Sequence, residues 1–532
     1  MESYAPSLNT MQRTPLTESH VEALRTAGEE RVLPAGHVII TPGQRLTEFI
    51  YILSGTAEIF NPATGEAYLN FFIGPTQFIG DIAFLSGSTT SLAIRTREET
   101  RVIAAPRKEV LHLMSKIPEM SDIILSVFAA RRRRQIEEQD STLIVVAPDR
   151  DKECLRIESF LSRNKVPFKR YELDDPNAAG VCGGDARPGV AFGDKGLLDR
   201  PTVESVACLL GLDQPPTDHC SFDVLIVGGG PAGVAAAVYA GAEGLTSVLV
   251  EEIAVGGQAG TSSRIENYLG FPTGISGGDL VWRGEIQAMK FGTAFVRPRR
   301  VEQLTHQAGG RFLATLDDGT EIDTGAVVVA TGVQYRRLPW DGLEKFEGSG
   351  VYYAATQTEA NYCTREPVIV VGGGNSAGQA AMYLSRSAAH VHVLVRSGSL
   401  AASMSEYLSS RLEADPNITL HFNTQIEALL GDDHLEAARV VTLNGSEEMS
   451  ARGVFVMVGA APNTNWLKGV ISLNDRGFIP TGEGIGGRST YETSKHGIFA
   501  VGDVRAGSVK RVASSVGEGS VVISSVWNHV KA

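Results

Sequence analysis

The chain has 532 residues, more than one hydrophobic core usually holds, so about two to four domains are expected. Its 43% apolar and 20% charged residues describe an ordinary soluble protein, and a net charge of −13 excludes a general nucleic-acid binder, which needs a basic face. Five cysteines with no close pair exclude a disulfide-built secreted scaffold. The opening "MESYAPSLNTMQRT" lacks an apolar signal core and no run reaches about 18 apolar residues, so the expectation is a cytoplasmic protein without a membrane partner.

Residues 13–138 read as short strands separated by glycines and closed by a helix. "LPAGHVIITPGQRLTEFIYILSGTAEIF" alternates apolar and turn residues as a small antiparallel barrel does, and "APRKEVLHLMSKIPEMSDIILSVFAARRRR" has helical periodicity. The basic run Arg131–Arg134, followed by Glu137, Glu138 and Asp140, reads as a solvated helix end. On the Gly36, Gly43 and Gly55 turns and "IGDIAFLSG", residues 1–138 resemble a cyclic-nucleotide-binding domain. In that family a Gly-Glu opens the phosphate cassette and a later Arg pairs with the cyclic phosphate. Here Gly80 is followed by Asp81, and Thr90 falls at the Arg position, which removes the bidentate partner of an anionic phosphate. The expectation is a vestigial cassette in a retained barrel that senses something else, or docks.

Residues 139–213 form a second unit. "STLIVVAPD" is a strand, "DKECLRIESFLSRNKV" an amphipathic helix and "PFKRYEL" a strand; "RPGVAFGDKGLLDRP" and a last helix "TVESVACLLGL" follow. The order resembles a glutaredoxin-type thioredoxin fold, which places Cys-x-x-Cys at a helix N-terminus, where the dipole lowers the first thiol's pKa. Here the tetrad is Asp151-Lys152-Glu153-Cys154, so the nucleophilic position is an aspartate. The same resemblance puts Pro188 at the family's cis-proline. A structural or docking role is expected. Residues 214–221, "QPPTDHCS", read as a linker.

"FDVLIVGGGPAGVAAAVYAGAEGLTSVLVEE" is a strand, a Gly-x-Gly-x-x-Gly turn, a helix and a second strand ending in Glu251. Gly228 permits the tight turn, Gly230 lets backbone approach a pyrophosphate, and Gly233 allows close helix–strand packing. Pro231 and Ala232 open the helix whose N-terminus would carry the pyrophosphate, and Glu251 can accept ribose hydroxyls. "VIVVGGGNSAGQAAMYLSRSAAHVHVLVRS" repeats the pattern with Gly372, Gly374, Asn375, Ser376 and Ala377. Arg396 and Ser397 replace the acid at the end of its second strand, which favours a 2′-phosphate: NADPH, with NADH as the alternative.

Over residues 222–530 the motifs stand in an order that resembles the low-molecular-weight thioredoxin reductases. That resemblance implies an α/β chain of two Rossmann-like folds, the NAD(P)H fold (339–462) inserted in an FAD fold (222–338 and 463–532), after the small barrel and the thioredoxin-like unit. It carries Gln258 and Asn267 of "GGQAGTSSRIENYLGFPTGISGGDL" onto flavin contacts, Thr331 and Gly332 of "VVVATG" and Asp503 of "GIFAVGDV" onto the FAD site, and Arg511 and Val512 of "KRVASSVGEGS" onto the flavin end. It implies FAD, a pyridine nucleotide and a homodimer, and no metal. The redox Cys-x-x-Cys of the group aligns with "GVYYAATQTEA", where Ala354 and Gln357 stand in place of the two cysteines. Arg511 replaces a glutamine beside the flavin, and two of three NADPH arginines are missing. No catalytic side chain is assigned.

Flavin reduction is therefore expected without dithiol reduction, with electrons leaving the flavin directly for an unidentified redox protein or small oxidant, as in the cysteine-free ferredoxin–NADP reductases that share the two folds. As a whole the chain resembles bacterial cyclic-nucleotide-regulated, FAD-dependent pyridine nucleotide-disulfide oxidoreductases. Two alternatives stay open: a regulatory redox sensor with little turnover, and a dithiol reductase that uses distant cysteines such as Cys154 with Cys182.

Overall fold

The computed structural model describes residues 13–531 except 61, 63, 64, 66, 88, 138–140, 149, 150, 185, 194, 195, 214–220, 263, 264, 266, 336, 337, 348, 349, 354, 356, 401–403, 433 and 459. Its first unit is a pair of four-stranded antiparallel sheets, one built on the strands Glu48–Ser54 and Thr100–Pro106, the other on Ala57–Phe60 and Ala93–Thr96. Gly36, Gly43 and Gly55 turn with φ of +77°, +77° and +82°, a conformation that an L side chain resists. The helix Pro118–Glu137 closes the barrel by inserting Phe128, whose ring lies 5.8 Å edge-on to Phe78. Gly80 (φ +147°) must lack a Cβ, because one would sit 2.7 Å from the Phe128 ring.

The second unit has the sheet order Lys169–Tyr171, Leu143–Val146, Gly189–Phe192, Leu197–Asp199, with the first pair parallel and the rest antiparallel. The amphipathic helix Lys152–Arg163 buries Cys154, Ile157, Phe160 and Leu161 against it. A helix, Pro176–Cys182, stands in the stretch for which the sequence pattern assigned no element: Asp175 caps it through Asn177 N and Pro176 opens it. Pro188 does not carry the cis bond expected of it; the cis peptide among the described residues is Arg297–Pro298.

The third unit is a parallel sheet of Ala294–Val296, Ser247–Val250, Ser221–Val227, Glu321–Val329 and Ile498–Ala500, extended by two antiparallel strands on the first half of Glu321–Val329. Ser221, assigned to the linker, begins its first strand. Its central strands are apolar on both faces because both are covered: the helices Pro231–Ala242, Gly277–Lys290 and Val512–Lys531 pack on one, and the antiparallel extension with Leu467, Ile471 and Ile479 packs on the other. The fourth unit repeats this design with five parallel strands, including Pro367–Val371 and His390–Val395, and a three-stranded antiparallel flap. Two adjacent segments join the third and fourth units: Val333–Tyr335 leaves antiparallel to the returning Ala460–Pro462. The fourth fold is thus an insertion in the third.

The amino-terminal units dock on the third. Ile286 and Met289 of the helix Gly277–Lys290 join the core of the barrel, Trp282 packs against it, and Lys290 pairs with Asp122 at 3.7 Å. Leu212 O accepts from Arg297 N, and Asp213 pairs with Arg299 at 2.9 Å. Arg297 and Glu285 form a buried ion pair beneath this junction. No helix among the described residues is long and apolar enough to cross a membrane.

Candidate cofactor site

The first glycine turn is fixed by what its residues cannot carry. A Cβ on Gly228 (φ +104°) would meet Ala330 O at 2.5 Å, and one on Gly233 would lie 1.9 Å from Gly228 O. A Cβ on Gly230, which precedes the helix Pro231–Ala242, would have nothing within 4 Å: this face of the turn is open. Glu251 closes the turn from the end of the second strand, accepting from Gly229 N at 2.6 Å and Ile253 N at 3.0 Å. Burial pushes its carboxyl above the usual range, against those two donors.

Three distant segments converge on this turn. Gly256 N donates to Gly229 O at 2.7 Å, which lays the loop bearing Gln258 over the turn; Gln258 Nε2 donates to Val333 O at 2.5 Å. The loop Gly502–Val504 abuts the helix start so closely that a Cβ on Gly502 would be 3.0 Å from that of Ala232. In the helix Val512–Lys531, Gly519 crosses at Ala232, where a Cβ would be 2.1 Å from Ala232 O. Glu518 holds the loop by accepting from Gly502 N at 2.7 Å and pairing with Arg505 at 2.5 Å. Neither it nor Asn463, whose Nδ2 donates to Thr331 O at 3.1 Å, was singled out in the sequence, since their roles lie in contacts across the fold. Thr331 Oγ1 donates to Asn463 O at 2.9 Å, and Gly332 turns at φ +59°.

Asp503 points one carboxylate oxygen, Oδ1, into the protein with no hydrogen-bond partner among the described residues, and burial raises its pKa. An orphaned buried acceptor beside an open glycine turn and a helix N-terminus fits a ligand with a phosphate and hydroxyl groups, as FAD has. Arg511 and Asn267 are exposed, and Val512 starts the last helix.

The second turn has the same construction. A Cβ on Gly372 (φ +146°) would meet Met457 O at 2.4 Å and Ala377 Cβ at 3.1 Å, while Gly374 precedes the helix Asn375–Leu384 that Ser376 and Ala377 open. Asn375 Oδ1 accepts from Ser405 N at 2.8 Å. Arg396 and Ser397 lie exposed just past the strand His390–Val395.

Ala354 lies outside the described residues, and Gln357 begins the helix Gln357–Tyr362. Cys363 follows at the end of that helix, fully buried; burial pushes its thiol up to about 12, and a Cβ on Gly453 would sit 2.6 Å from its Sγ. Such a thiol is inert. Cys363→Ser is expected to leave flavin reduction rates unchanged and to cost about 1–3 kcal/mol in urea unfolding, because the hydroxyl is buried without a partner. Cys154, too, is buried with its thiol pushed up to about 12, since burial and the Asp151 carboxylate outweigh the helix end. Asp151 instead caps the helix by accepting from Cys154 N at 2.8 Å. Cys182 is buried and free.

In the barrel, Asp81 caps the helix Ile82–Ser86 through Ala83 N and pairs with Arg132 at 2.7 Å. Thr90 Oγ1 accepts from Leu92 N at 3.4 Å. The basic run is not a solvated helix end. Arg131 Nη1 donates to Phe78 O and Gly80 O at 2.8 and 2.9 Å, and Arg132 also donates to Lys165 O at 3.1 Å; Arg133 pairs outward, with Glu137. The helix face that covers the barrel falls in the run, which counting charges does not reveal.

Residues 222–519 match the family model described as pyridine nucleotide-disulphide oxidoreductase, and residues 30–116 match the cyclic nucleotide-binding domain. A thioredoxin reductase of Peptoclostridium acidaminophilum is 31% identical over 319 residues, covering 58% of this chain and 98% of that one. An NADPH-dependent thioredoxin reductase 3 of Arabidopsis thaliana is 33% identical over 317 residues; the match covers 58% of each chain. The solved thioredoxin reductase of T. acidophilum superposes with a TM-score of 0.54 at 26% identity, over 59% of this chain and all of that one.

Proposed function

Because the chain belongs to the pyridine nucleotide-disulphide oxidoreductase family, whose thioredoxin reductases use FAD and NADPH, we propose that it is a flavoprotein reductase that passes electrons straight from flavin to its acceptor. Bound FAD would supply the chemistry of hydride acceptance and electron release. The protein holds and aligns the partners: Gly228, Gly230, Pro231, Ala232 and Gly233 present backbone and a helix end to the FAD pyrophosphate, Glu251 faces the ribose, and Asp503 Oδ1 takes a flavin-side hydroxyl. Gln258, Asn267, Thr331, Gly332, Arg511 and Val512 frame the flavin; Gly372, Gly374, Asn375, Ser376 and Ala377 take the nucleotide pyrophosphate, with Arg396 and Ser397 toward a 2′-phosphate. The chain works as a homodimer in this reading.

One observation carries the direct transfer. The matched residues 222–519 contain a single cysteine, Cys363, and it is buried. An active-site disulfide needs two. Anaerobic NADPH is expected to bleach the flavin band faster than NADH does. Steady turnover with ferricyanide or a quinone should then exceed turnover with a dithiol acceptor by about a hundredfold or more, since the dithiol route lacks its exchange partner. Dithiol turnover at a comparable rate, abolished by Cys154→Ser, would instead establish the distant-cysteine route.

The sensor reading is favoured by a different observation, the burial of Ile286 and Met289 in the barrel core, which couples the FAD unit to the barrel mechanically. It requires slow turnover with every acceptor and a change in small-angle scattering on reduction.

A further inference from the structure

The barrel holds a half-open cavity of about 70 Å³ lined by Ile40, Leu46, Ile59, Ile73, Leu92 and Ile94. Asp81 and Thr90 give it polar atoms from within the residues 30–116 that match the nucleotide-binding model, and the helix Pro118–Glu137, beyond them, adds three longer polar side chains. Arg131 and Gln135 face the cavity, and both carry a buried atom with no hydrogen-bond partner among the described residues: Nε of Arg131 and Oε1 of Gln135. Arg134 also lines it, and so does Asp81, the one acid there. Asp81 is already committed, with one oxygen on Ala83 N and the other on Arg132. The cavity therefore pairs an apolar body with a guanidinium Nε and an amide oxygen that have no hydrogen-bond partner among the described residues.

Burial holds the Arg131 guanidinium down to about 10, against the favourable charge of Asp81, and leaves it charged at neutral pH. Two of its donor directions are already spent on Phe78 O and Gly80 O, which fix the guanidinium with Nε left over. A nucleotide does not suit this site. Thr90, with no charge, stands where a cyclic phosphate would need a guanidinium. A short aliphatic chain with a single carboxylate satisfies each feature: the chain fills the isoleucine-lined space, and the head takes the Arg131 Nε–H and the Gln135 amide N–H, once that amide turns its donor inward.

We propose that the barrel binds a short-chain monocarboxylate in place of a cyclic nucleotide, with the carboxylate at Arg131 and Gln135. The test is calorimetric titration of the full-length flavin-loaded protein with butyrate and isovalerate, with butyramide and cAMP as comparators. Saturable binding of a carboxylate, at least about tenfold weaker for the amide because the charge-assisted bonds are lost, is the expected result. Ile94→Phe, which fills the cavity, and Gln135→Leu, which removes the amide but leaves the Arg131 carbonyl bonds, should each weaken butyrate binding by about tenfold or more. Absence of saturable carboxylate binding, equal binding of butyramide, competition by cAMP, or butyrate binding unaltered in both variants would each overturn the proposal.

Discussion

Gly233→Ala is expected to yield protein with about a tenth or less of the normal flavin absorbance and a lowered melting temperature, while Gly230→Ala melts normally and also fails to retain flavin. The two glycines lie three residues apart, and their surroundings separate the outcomes. An added Cβ on Gly233 would lie 1.9 Å from Gly228 O, a backbone atom held between two strands. The helix would have to move off the sheet, and overpacking of this kind costs about 1–3 kcal/mol or more. At Gly230 the backbone has φ −69° and ψ 178°, which any residue adopts, and no atom of the protein lies within 4 Å of the new methyl. The fold has no objection to it; a pyrophosphate closing on the backbone does. Absorbance at the flavin band per protein, with melting curves on both variants, checks this. A yellow, stable Gly230→Ala protein would remove the turn from the cofactor site.

The contrast shows why this part of the molecule was readable in sequence. The two glycine turns are backbone requirements, so the residue types at 228, 230 and 233 and at 372, 374 and 377 announce them locally. Alternating apolar residues and glycine turns announced the barrel in the same way. What escaped was decided by contacts between distant segments. Arg131 and Arg132 look like solvent-facing charges in a four-arginine run, yet the helix angle set by Phe128 turns them onto Gly80 and Asp81. The short helix Pro176–Cys182 has a cap and a proline start but too few apolar residues to show a period. Nothing in "GGDLVWRGEIQAMK" says that its isoleucine and its methionine belong to a neighbouring unit's core; an amphipathic helix has the same pattern whichever surface it buries. Asp503 could be aligned with a motif, but the empty hydrogen-bonding position of its Oδ1 is visible only in three dimensions.

That empty position leads to a prediction of opposite signs. Asp503→Asn should raise the stability of the protein stripped of flavin and lower its affinity for FAD by about ten- to a hundredfold. Burial raises the Asp503 carboxyl above its ordinary value, with Lys510 pulling it down and Glu518 pushing it up. Because the folded pKa lies above the unfolded one, folding disfavours the charged form. The penalty is absent at pH below the unfolded value of about 3.9 and grows as pH rises through the folded value, so the ionised group destabilises the apoprotein at neutral pH. Asparagine keeps the shape and removes the charge, so the gain in apoprotein melting temperature should be present at pH 7 and vanish toward pH 3.5. With FAD bound the balance reverses, since an ionised oxygen accepting a ligand hydroxyl makes a stronger bond than an amide oxygen, and losing it costs about 1–3 kcal/mol. Melting curves of the stripped and loaded proteins across this pH range, with FAD titrated by flavin fluorescence, read both signs. A variant that melts lower than the parent without flavin, or binds FAD equally well, would mean that Oδ1 faces something other than the cofactor.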